Sequence, residues 1–166
     1  IDCDEIVKEL LSTNKEVKAE VLAAFSESVF DENGQIVRKE LAAVVFADLK
    51  LLKKLEVILH PRVNLIWNEA VEKETTKPWL IEIPLLFEKN LEKSVDFTVC
   101  ITCDREVQIS RLAQRGMKLD EADQRISRQI PLARKVELAD YVLLNNGNIP
   151  FLKDQIKQLI KSINSI

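Results

Sequence analysis

Apolar residues at helical spacing dominate the first half of the chain. Isoleucine, valine and leucine recur at intervals of three and four over 5–29, with Asn14 as a candidate interruption. The same spacing predicts helices over 38–46 and 49–59. We expect the last of these to end before Pro61, since the residue preceding a proline disfavours the helical conformation, and Pro61 to open a further helix.

Nearly continuous apolar runs replace this pattern in the second half: WLIEIPLLF, DFTVCITC and YVLL. Such runs, separated by helical patterns, are typical of buried parallel strands in βαβ units. With the opening IDCD, they predict an α/β fold with strands near residues 1, 80, 97 and 142. We also expect one helix from an Asp104 cap to Gly116, a second from an Asp120 cap to about Gln129, and an amphipathic helix over 151–163.

The helical stretch between the first two predicted strands is too long for a simple crossover connection, which needs only about a dozen residues. We therefore expect an inserted helical subdomain at 5–78, and an α/β core formed by 1–4 and 79–166. The sequence contains no internal repeat and no linker rich in proline, glycine and serine.

Composition and charge narrow the classes of function. The chain is 46% hydrophobic and 31% charged, as in soluble globular proteins, and its net charge of −3 argues against a general nucleic-acid binder. No apolar run approaches the roughly 20 residues that span a bilayer, so we expect no membrane partner. Three cysteines do not suggest a disulfide framework, and the expected location is the reducing cytoplasm.

Cys100 and Cys103 form a single CxxC in a chain that has one histidine. Redox or zinc chemistry would need partners that this sequence does not offer. We expect Cys100 to fill a buried strand position and Cys103 to stand at the strand end, because free cysteine behaves mostly as a small buried hydrophobe.

Two carboxylates, Asp2 and Asp4, stand at the carboxyl end of the first predicted strand. Ligands of open α/β sheets bind at this end, where a carboxylate can accept a proton from a hydroxyl nucleophile or hold Mg²⁺. The competing interpretation, which the residues alone favour, is that Asp4 is the N-cap of the following helix. The two roles are compatible.

Three further polar residues each have two interpretations. Glu82 is a charge within an apolar run and Glu88 follows that run; either carboxylate could orient Mg²⁺ or point to water. His60 is the single histidine, and the residues alone favour a helix C-terminal position, stabilised by the helix dipole, over a catalytic role.

Five of the eight arginines lie in RLAQRGMKLDEADQRISRQIPLARK. Arg111 and Arg115 share one face of a predicted helix, Arg125 and Arg128 share a face of the next, and Gly116 offers a hinge between them. A guanidinium can donate two hydrogen bonds to one phosphate. Only three acids lie in the segment, so anion binding is favoured over a solvated, ion-paired face.

The order and spacing of seven segments make the chain resemble the dephospho-CoA kinase family of P-loop kinases. The resemblance rests on IDCDEIVKELL, VFDENGQIVRKELAAVVF, LEVILHPRV, IPLLFE, DREVQISRLAQR, RISRQ and ADYVLLNNG. It implies a three-layer α/β/α P-loop kinase fold with a parallel sheet, a helical substrate-binding insert and an arginine-rich lid. The implied reaction is ATP-dependent phosphorylation of the ribose 3′-hydroxyl of dephospho-CoA, giving CoA and ADP, the last step of coenzyme A biosynthesis. The implied cofactors are ATP and Mg²⁺.

The resemblance also implies roles for individual residues. Asp4 matches the carboxylate that would activate the 3′-hydroxyl, and Arg115 would open a mobile lid, at about 115–131, over the ATP phosphates. Arg111 would lie against the adenine. The insert at 5–78 would hold the CoA acceptor. The implied substrate-binding residues are Asp2, His60, Pro84, Leu85 and Glu88, and the implied ATP-binding residues are Arg111, Arg115, Arg128, Lys135, Asn146 and Gly147.

The sequence departs from the family pattern in two places. A GxxxxGK[ST] P-loop, whose Ser/Thr would hold Mg²⁺, would stand upstream of Ile1, so we expect the sequence given to be a fragment that does not catalyse phosphoryl transfer by itself. Leu144 stands where an acidic residue is common in the family. Two alternatives stay open: another P-loop kinase acting on a nucleoside or small metabolite, and a non-catalytic nucleotide-binding module. The sequence predicts no oligomeric state.

Overall fold

The computed structural model describes residues 1–165. Residue contacts divide the chain into two compact units, Ile1–Pro84 and Leu85–Ile166. The two units are defined by contacts and not by substrate binding. The predicted division into a subdomain at 5–78 and a core of 1–4 and 79–166 therefore stays a prediction. The helices and strands are α1 (Cys3–Thr13), α2 (Lys15–Phe25), α3 (Arg38–Ala47), α4 (Leu49–Lys73), β1 (Val99–Thr102), α5 (Arg105–Gln114), α6 (Leu119–Ser127), α7 (Leu132–Leu138), β2 (Tyr141–Leu144) and α8 (Ile149–Ile163).

The first unit is built from α1 to α4, which occupy the segments that the helical spacing predicts, with different ends for α1, α2 and α4. Asn14 interrupts the pattern, as expected, because it ends α1 and caps α2, its side chain accepting a hydrogen bond from the Val17 N–H at 2.9 Å. The apolar stripes of these helices meet in one core, whose buried residues are Cys3, Leu10, Leu11, Val17, Val21, Phe25, Val29, Leu41, Val45, Ile58, Leu59, Val63 and Trp67.

Helix α4 runs through Pro61, so the predicted helix end before this proline is wrong. Proline removes one intrahelical donor, but the carbonyl left without that donor belongs to Val57, which is 68% exposed and can bind water. Buried residues stand on both sides of the proline, Leu59 before it and Val63 after it. Packing of both halves against one core therefore outweighs the local preference.

We expect Pro61→Ala to raise the free energy of unfolding by about 1–3 kcal/mol, since alanine restores a helix-interior N–H and removes the ring from the preceding turn. Urea denaturation measures the change. Pro150→Ala is the matched control, because Pro150 lies in the first turn of α8, where an N–H has no intrahelical partner. A Pro61→Ala protein that is no more stable than the Pro150→Ala protein would contradict this expectation.

The second unit contains the parallel pair β1 and β2, which confirms the strands predicted near residues 97 and 142. The register pairs Val99 with Tyr141 and Thr102 with Leu144, so both strands end at the same edge. Ile101 is 58% exposed and Leu144 is 47% exposed. At these positions the burial expected from the apolar runs is wrong.

Asp140 locks the beginnings of these two strands together. Its carboxylate accepts hydrogen bonds from the N–H of Thr98 at 2.8 Å and from the Thr98 hydroxyl at 2.6 Å. These bonds from Thr98, the hydroxyl first and then the backbone N–H, hold the pKa of the Asp140 carboxyl below its usual range. These hydrogen bonds fix the register of the two strands and thereby place the loops after β1 and β2 side by side.

The segments near residues 1 and 80 do not form the predicted strands. Within residues 1–165 they meet in an isolated parallel bridge between Asp2 and Glu82. Leu80 is 81% exposed, and the chain turns at Pro84, which has no N–H to give to a strand ladder. The apolar run WLIEIPLLF therefore predicted a buried strand wrongly.

The helices of the second unit follow the arginine-rich pattern with two corrections. Helix α5 begins after Asp104 and ends before Gly116, whose φ of 83° is readily adopted only by glycine. Lys118 is the N-cap of α6, so the predicted Asp120 cap is wrong and Asp120 lies in the first turn. Helix α7 was not predicted from the sequence.

Cys100 is buried in β1, as expected, and burial raises the pKa of its thiol. A raised pKa disfavours the thiolate that redox and metal chemistry need. No helix within residues 1–165 is both long enough and apolar enough to cross a membrane.

Candidate functional site

The first group of candidate residues lies where the opening segment meets the segment around Glu82. The Glu82 N–H donates to the Ile1 carbonyl at 2.8 Å, and the Cys3 N–H donates to the Glu82 carbonyl at 3.1 Å. This parallel pairing puts the side chains of Asp2 and Glu82 on the same side. Asp2 then caps α1, accepting a hydrogen bond from the Glu5 N–H at 3.1 Å.

Asp4 is not the N-cap, so the interpretation that the residues alone favoured is wrong. Helix α1 begins at Cys3, one residue earlier than an Asp4 cap would require, and Asp2 provides the capping bond. Asp4 lies in the first turn with an exposed side chain, and its carboxylate makes no hydrogen bond or ion pair within the described part of the chain. The carboxylate is therefore available to a ligand.

Cys3, between the two aspartates, is buried. Burial, followed by the charges of Asp2 and Asp4, raises the pKa of the Cys3 thiol. A raised pKa disfavours the nucleophilic thiolate, so the two carboxylates stay the candidate groups at this position.

The other residues of this unit that were implied for substrate binding, His60 and Pro84, lie on separate segments of the chain. His60 is half-buried in the interior of α4, so the expected helix C-terminal position is wrong. The structure places His60 on α4 and not on the segment that carries Asp2 and Asp4. Pro84 is exposed and follows the Glu82 bridge by two residues.

In the second unit, the loops after β1 and β2 are joined at the carboxyl edge of the strands. The Asn145 N–H donates to the Thr102 carbonyl at 2.7 Å, which extends the strand pairing by one bond. The Asp104 N–H, at the beginning of α5, donates to the Asn146 side-chain oxygen at 2.7 Å. This edge is where ligands bind in parallel α/β sheets.

The structure brings together the three residues implied for adenine. Arg111 is half-buried on α5, and its guanidinium donates to the Asn145 side-chain oxygen at 3.4 Å, next to Asn146 and Gly147. A Cβ atom at Gly147 would come within 3.2 Å of the Phe151 ring, so glycine allows the loop to approach the beginning of α8. The contact between Gly147 and Phe151 was not predicted from the sequence.

The predicted lid, 115–131, consists of the Gly116 turn, α6 and the segment leading to Pro131. An ion pair between Arg105 and Asp123 connects α5 with α6. Arg115 is exposed, and its guanidinium makes no ion pair with any residue in 1–165. Arg128 is exposed at the end of α6. Two arginine-bearing helices joined by a glycine turn therefore exist as predicted.

Glu88 and Lys135, which were predicted separately as substrate and phosphate ligands, form an ion pair of 2.7 Å. Both side chains are largely buried, at 12% and 13% exposure. The Ile130 N–H donates to the same Glu88 oxygen at 3.1 Å, and the Lys135 ammonium donates to the Gln129 side-chain oxygen at 2.8 Å. No local pattern could have revealed this cluster, since Glu88 is far from the other members in the sequence.

No group of three or more His, Cys, Asp or Glu residues within 1–165 could hold a metal ion. Proteins usually bind Mg²⁺ through one or two carboxylates together with substrate phosphates and water. No residue of the described part of the chain is therefore assigned to Mg²⁺.

Comparison with known proteins gives a consistent family. A family model described as dephospho-CoA kinase matches residues 1–150. The dephospho-CoA kinase of Fusobacterium nucleatum is 33% identical, over 98% of this chain and 84% of its own length. That of Geobacillus kaustophilus is 36% identical, over 97% of this chain and 82% of its own length.

Solved structures confirm the predicted fold class, an α/β P-loop kinase fold with a parallel sheet. The crystal structure of TT1252 from Thermus thermophilus is 31% identical, with a TM-score of 0.80 over 98% of this chain and 83% of that chain. The dephospho-CoA kinase from Campylobacter jejuni, at 24% identity and a TM-score of 0.67 over the same shares of both chains, supports the fold alone.

Proposed function

The chain belongs to the dephospho-CoA kinase family, and from this premise we propose that the full-length gene product transfers the γ-phosphoryl group of ATP to the ribose 3′-hydroxyl of dephospho-CoA. The products are CoA and ADP, so the reaction is the last step of coenzyme A biosynthesis. The observation that carries the proposal is the family match over residues 1–150. The Asp4 carboxylate supports the proposal, because it is exposed and makes no helix-capping bond, and attack by a hydroxyl requires a proton acceptor.

Asp4 is the proposed general base. It accepts the 3′-hydroxyl proton while that oxygen forms a bond to the γ-phosphorus and the bond from the γ-phosphorus to the β,γ-bridging oxygen breaks. ADP leaves, and the proton on Asp4 passes to solvent. Asp4 lies in the first turn of α1 with an exposed side chain, so a bound hydroxyl can reach its carboxylate.

The proposed acceptor-binding residues are Asp2, His60, Pro84, Leu85 and Glu88, and the helical segment 5–78 would hold the CoA acceptor. Asp2 has the strongest support among them, since it lies two residues from Asp4 and its cap fixes the orientation of the first turn.

Arginine side chains are the proposed ligands of ATP. Arg115 and Arg128 would neutralise phosphate charge, and Arg111 would lie against the adenine, with Asn146 and Gly147 at its border. The exposed guanidinium of Arg115 supports this assignment, because it has no internal anion to satisfy it within the described residues. Lys135 is also a phosphate candidate, but its bonds to Glu88 and Gln129 favour a supporting role.

The remaining parts of the proposal are Mg²⁺ and location. Mg²⁺ would accompany ATP and supply positive charge to its phosphates, as in other phosphoryl transfers. A cytoplasmic location stays a prediction.

A coupled assay of ADP release from the full-length gene product tests the function, with dephospho-CoA, AMP and adenosine as competing acceptors. We expect a kcat/KM for dephospho-CoA about 10⁴-fold above those of the other two, because a site built to hydrogen-bond a substrate's polar groups discriminates by roughly 10⁴–10⁵-fold against analogues that lack them. Mass and ³¹P NMR spectra should show a new 3′-monophosphate. Preference for AMP or adenosine would favour another P-loop kinase, and ATP binding without turnover would favour a non-catalytic module.

A further inference from the structure

The Glu88 carboxylate connects three segments of the second unit. It lies on a hydrogen-bonded turn, in which the Lys89 N–H donates to the Leu85 carbonyl at 3.1 Å and the Leu91 N–H donates to the Leu86 carbonyl at 3.0 Å. From this turn it binds the Ile130 N–H of the lid at 3.1 Å and the Lys135 ammonium of α7 at 2.7 Å. We call the cluster of Glu88, Gln129, Ile130 and Lys135 the lid anchor.

The lid anchor is shielded from solvent, unlike the other ion pairs around the lid. Its two charged side chains are 12% and 13% exposed, whereas those of Arg134 and Glu137 are 58% and 62% exposed. The Arg105–Asp123 pair is also open, at 58% and 47%. Water and salt screen exposed pairs, so they restrain the chain weakly, while a buried and hydrogen-bonded pair keeps its geometry.

The two ends of the lid are therefore held differently. At one end, Gly116 adopts a φ of 83° in an exposed turn. At the other end, Gln129 and Ile130 are bonded into the lid anchor, through a side chain and a backbone N–H. Arg128 immediately precedes this fixed pair, so the lid anchor restricts the backbone from which its guanidinium extends.

Lys135 has little capacity left for a phosphate. Two of its three N–H donors are used, one by Glu88 and one by Gln129. The charge of Lys135 is also neutralised locally by the Glu88 carboxylate, which leaves a buried pair with no net charge.

We propose that Glu88 is a positioning residue, which acts through Lys135, Gln129 and Ile130 to hold the C-terminal end of the lid and so to place Arg128 against the ATP phosphates. This inference rests on the proposed kinase function. It assigns Glu88 and Lys135 to one unit, in place of separate contacts with substrate and phosphate.

Four variants of the full-length gene product test the proposal: Glu88→Gln, Lys135→Met, the two combined, and Arg134→Met as the matched control at the neighbouring exposed pair. Glu88→Gln and Lys135→Met are each expected to raise the KM for ATP about tenfold, with a smaller effect on kcat, because a displaced ligand weakens a charge contact. The combined variant should raise the KM for ATP no more than either single variant does. Arg134→Met should have the KM for ATP of the wild type.

Hydrogen exchange gives a readout that does not depend on catalysis. The Ile130 amide should exchange faster in Glu88→Gln and in Lys135→Met than in Arg134→Met. If the wild type shows no kinase activity, the proposed function fails, while this exchange measurement still tests the lid anchor.

Two results would overturn the proposal. One is a folded Glu88→Gln protein, by circular dichroism and thermal melting, with unchanged ATP KM and unchanged Ile130 exchange. The other is a combined variant whose KM for ATP rises by the product of the two single-variant factors, since Lys135 would then bind phosphate independently of Glu88. If the single variants do not fold, the combined variant, which leaves no unpaired buried charge, carries the test through its ATP KM.

Discussion

Asp4→Asn is expected to lower kcat of the full-length gene product by about 10²–10⁴-fold, the range that a general base contributes. Asparagine keeps the size of the side chain but cannot accept the 3′-hydroxyl proton. The KM for ATP should change little, because the residues proposed for ATP lie in other segments of the chain. Steady-state kinetics with dephospho-CoA and ATP varied separately measure both effects.

We expect Asp4→Asn to leave the fold unchanged. Asp4 makes no capping bond and no ion pair within the described residues, so its loss removes no structural contact. Glu5→Gln is the matched control, since it removes the same charge from the same first turn and Glu5 has no proposed role in the reaction. Normal turnover in Asp4→Asn, or an equal loss in Glu5→Gln, would exclude Asp4 as the base.

Sequence spacing predicted most of the helices because an apolar stripe of period 3.6 records which face meets the core. It failed where a local rule opposed packing, as at Pro61, whose helix continues because the residues on both sides share one core. It also failed at WLIEIPLLF, since a short apolar run does not distinguish a buried strand from a half-buried segment that pairs through one bridge and ends in a turn.

The candidate site was predictable to different degrees. Spacing along helices predicted the two arginine-bearing helices and the glycine that ends the first of them, whereas Arg115 and Arg128 are the C-caps that follow these helices. A hinge at Gly116 stays a prediction. The residues alone favoured Asp4 as the cap, and this was wrong, because the pattern does not define at which residue the helix begins and Asp2 provides the capping bond. The pairing of Glu88 with Lys135 depends on tertiary contact between distant segments, which no spacing rule records.

Arg115→Ala is the second large effect that we expect. It should lower kcat/KM for ATP about 10- to 100-fold, which corresponds to the roughly 1.5–3 kcal/mol of one charge-assisted hydrogen bond. Arg115 is the C-cap of α5 and its guanidinium makes no internal ion pair within residues 1–165, so the fold should tolerate alanine. Thermal melting before the kinetic measurement checks this tolerance.

Two companion variants decide whether Arg115 acts by direct contact. Lys118→Ala removes one positive charge from the same exposed turn. The substitution keeps the backbone bonds of Lys118, whose N–H donates to the Glu121 carboxylate at 3.1 Å and whose carbonyl accepts from the Ala122 N–H at 2.9 Å. If Arg115 contacts phosphate, Lys118→Ala should leave kcat/KM for ATP nearly unchanged, while Arg115→Lys should fall between the wild type and Arg115→Ala, since lysine keeps the charge but loses the planar fork. Equal losses in Arg115→Ala and Lys118→Ala would instead mean that the turn acts through its general positive potential. Wild-type kinetics in Arg115→Ala would remove Arg115 from the lid altogether.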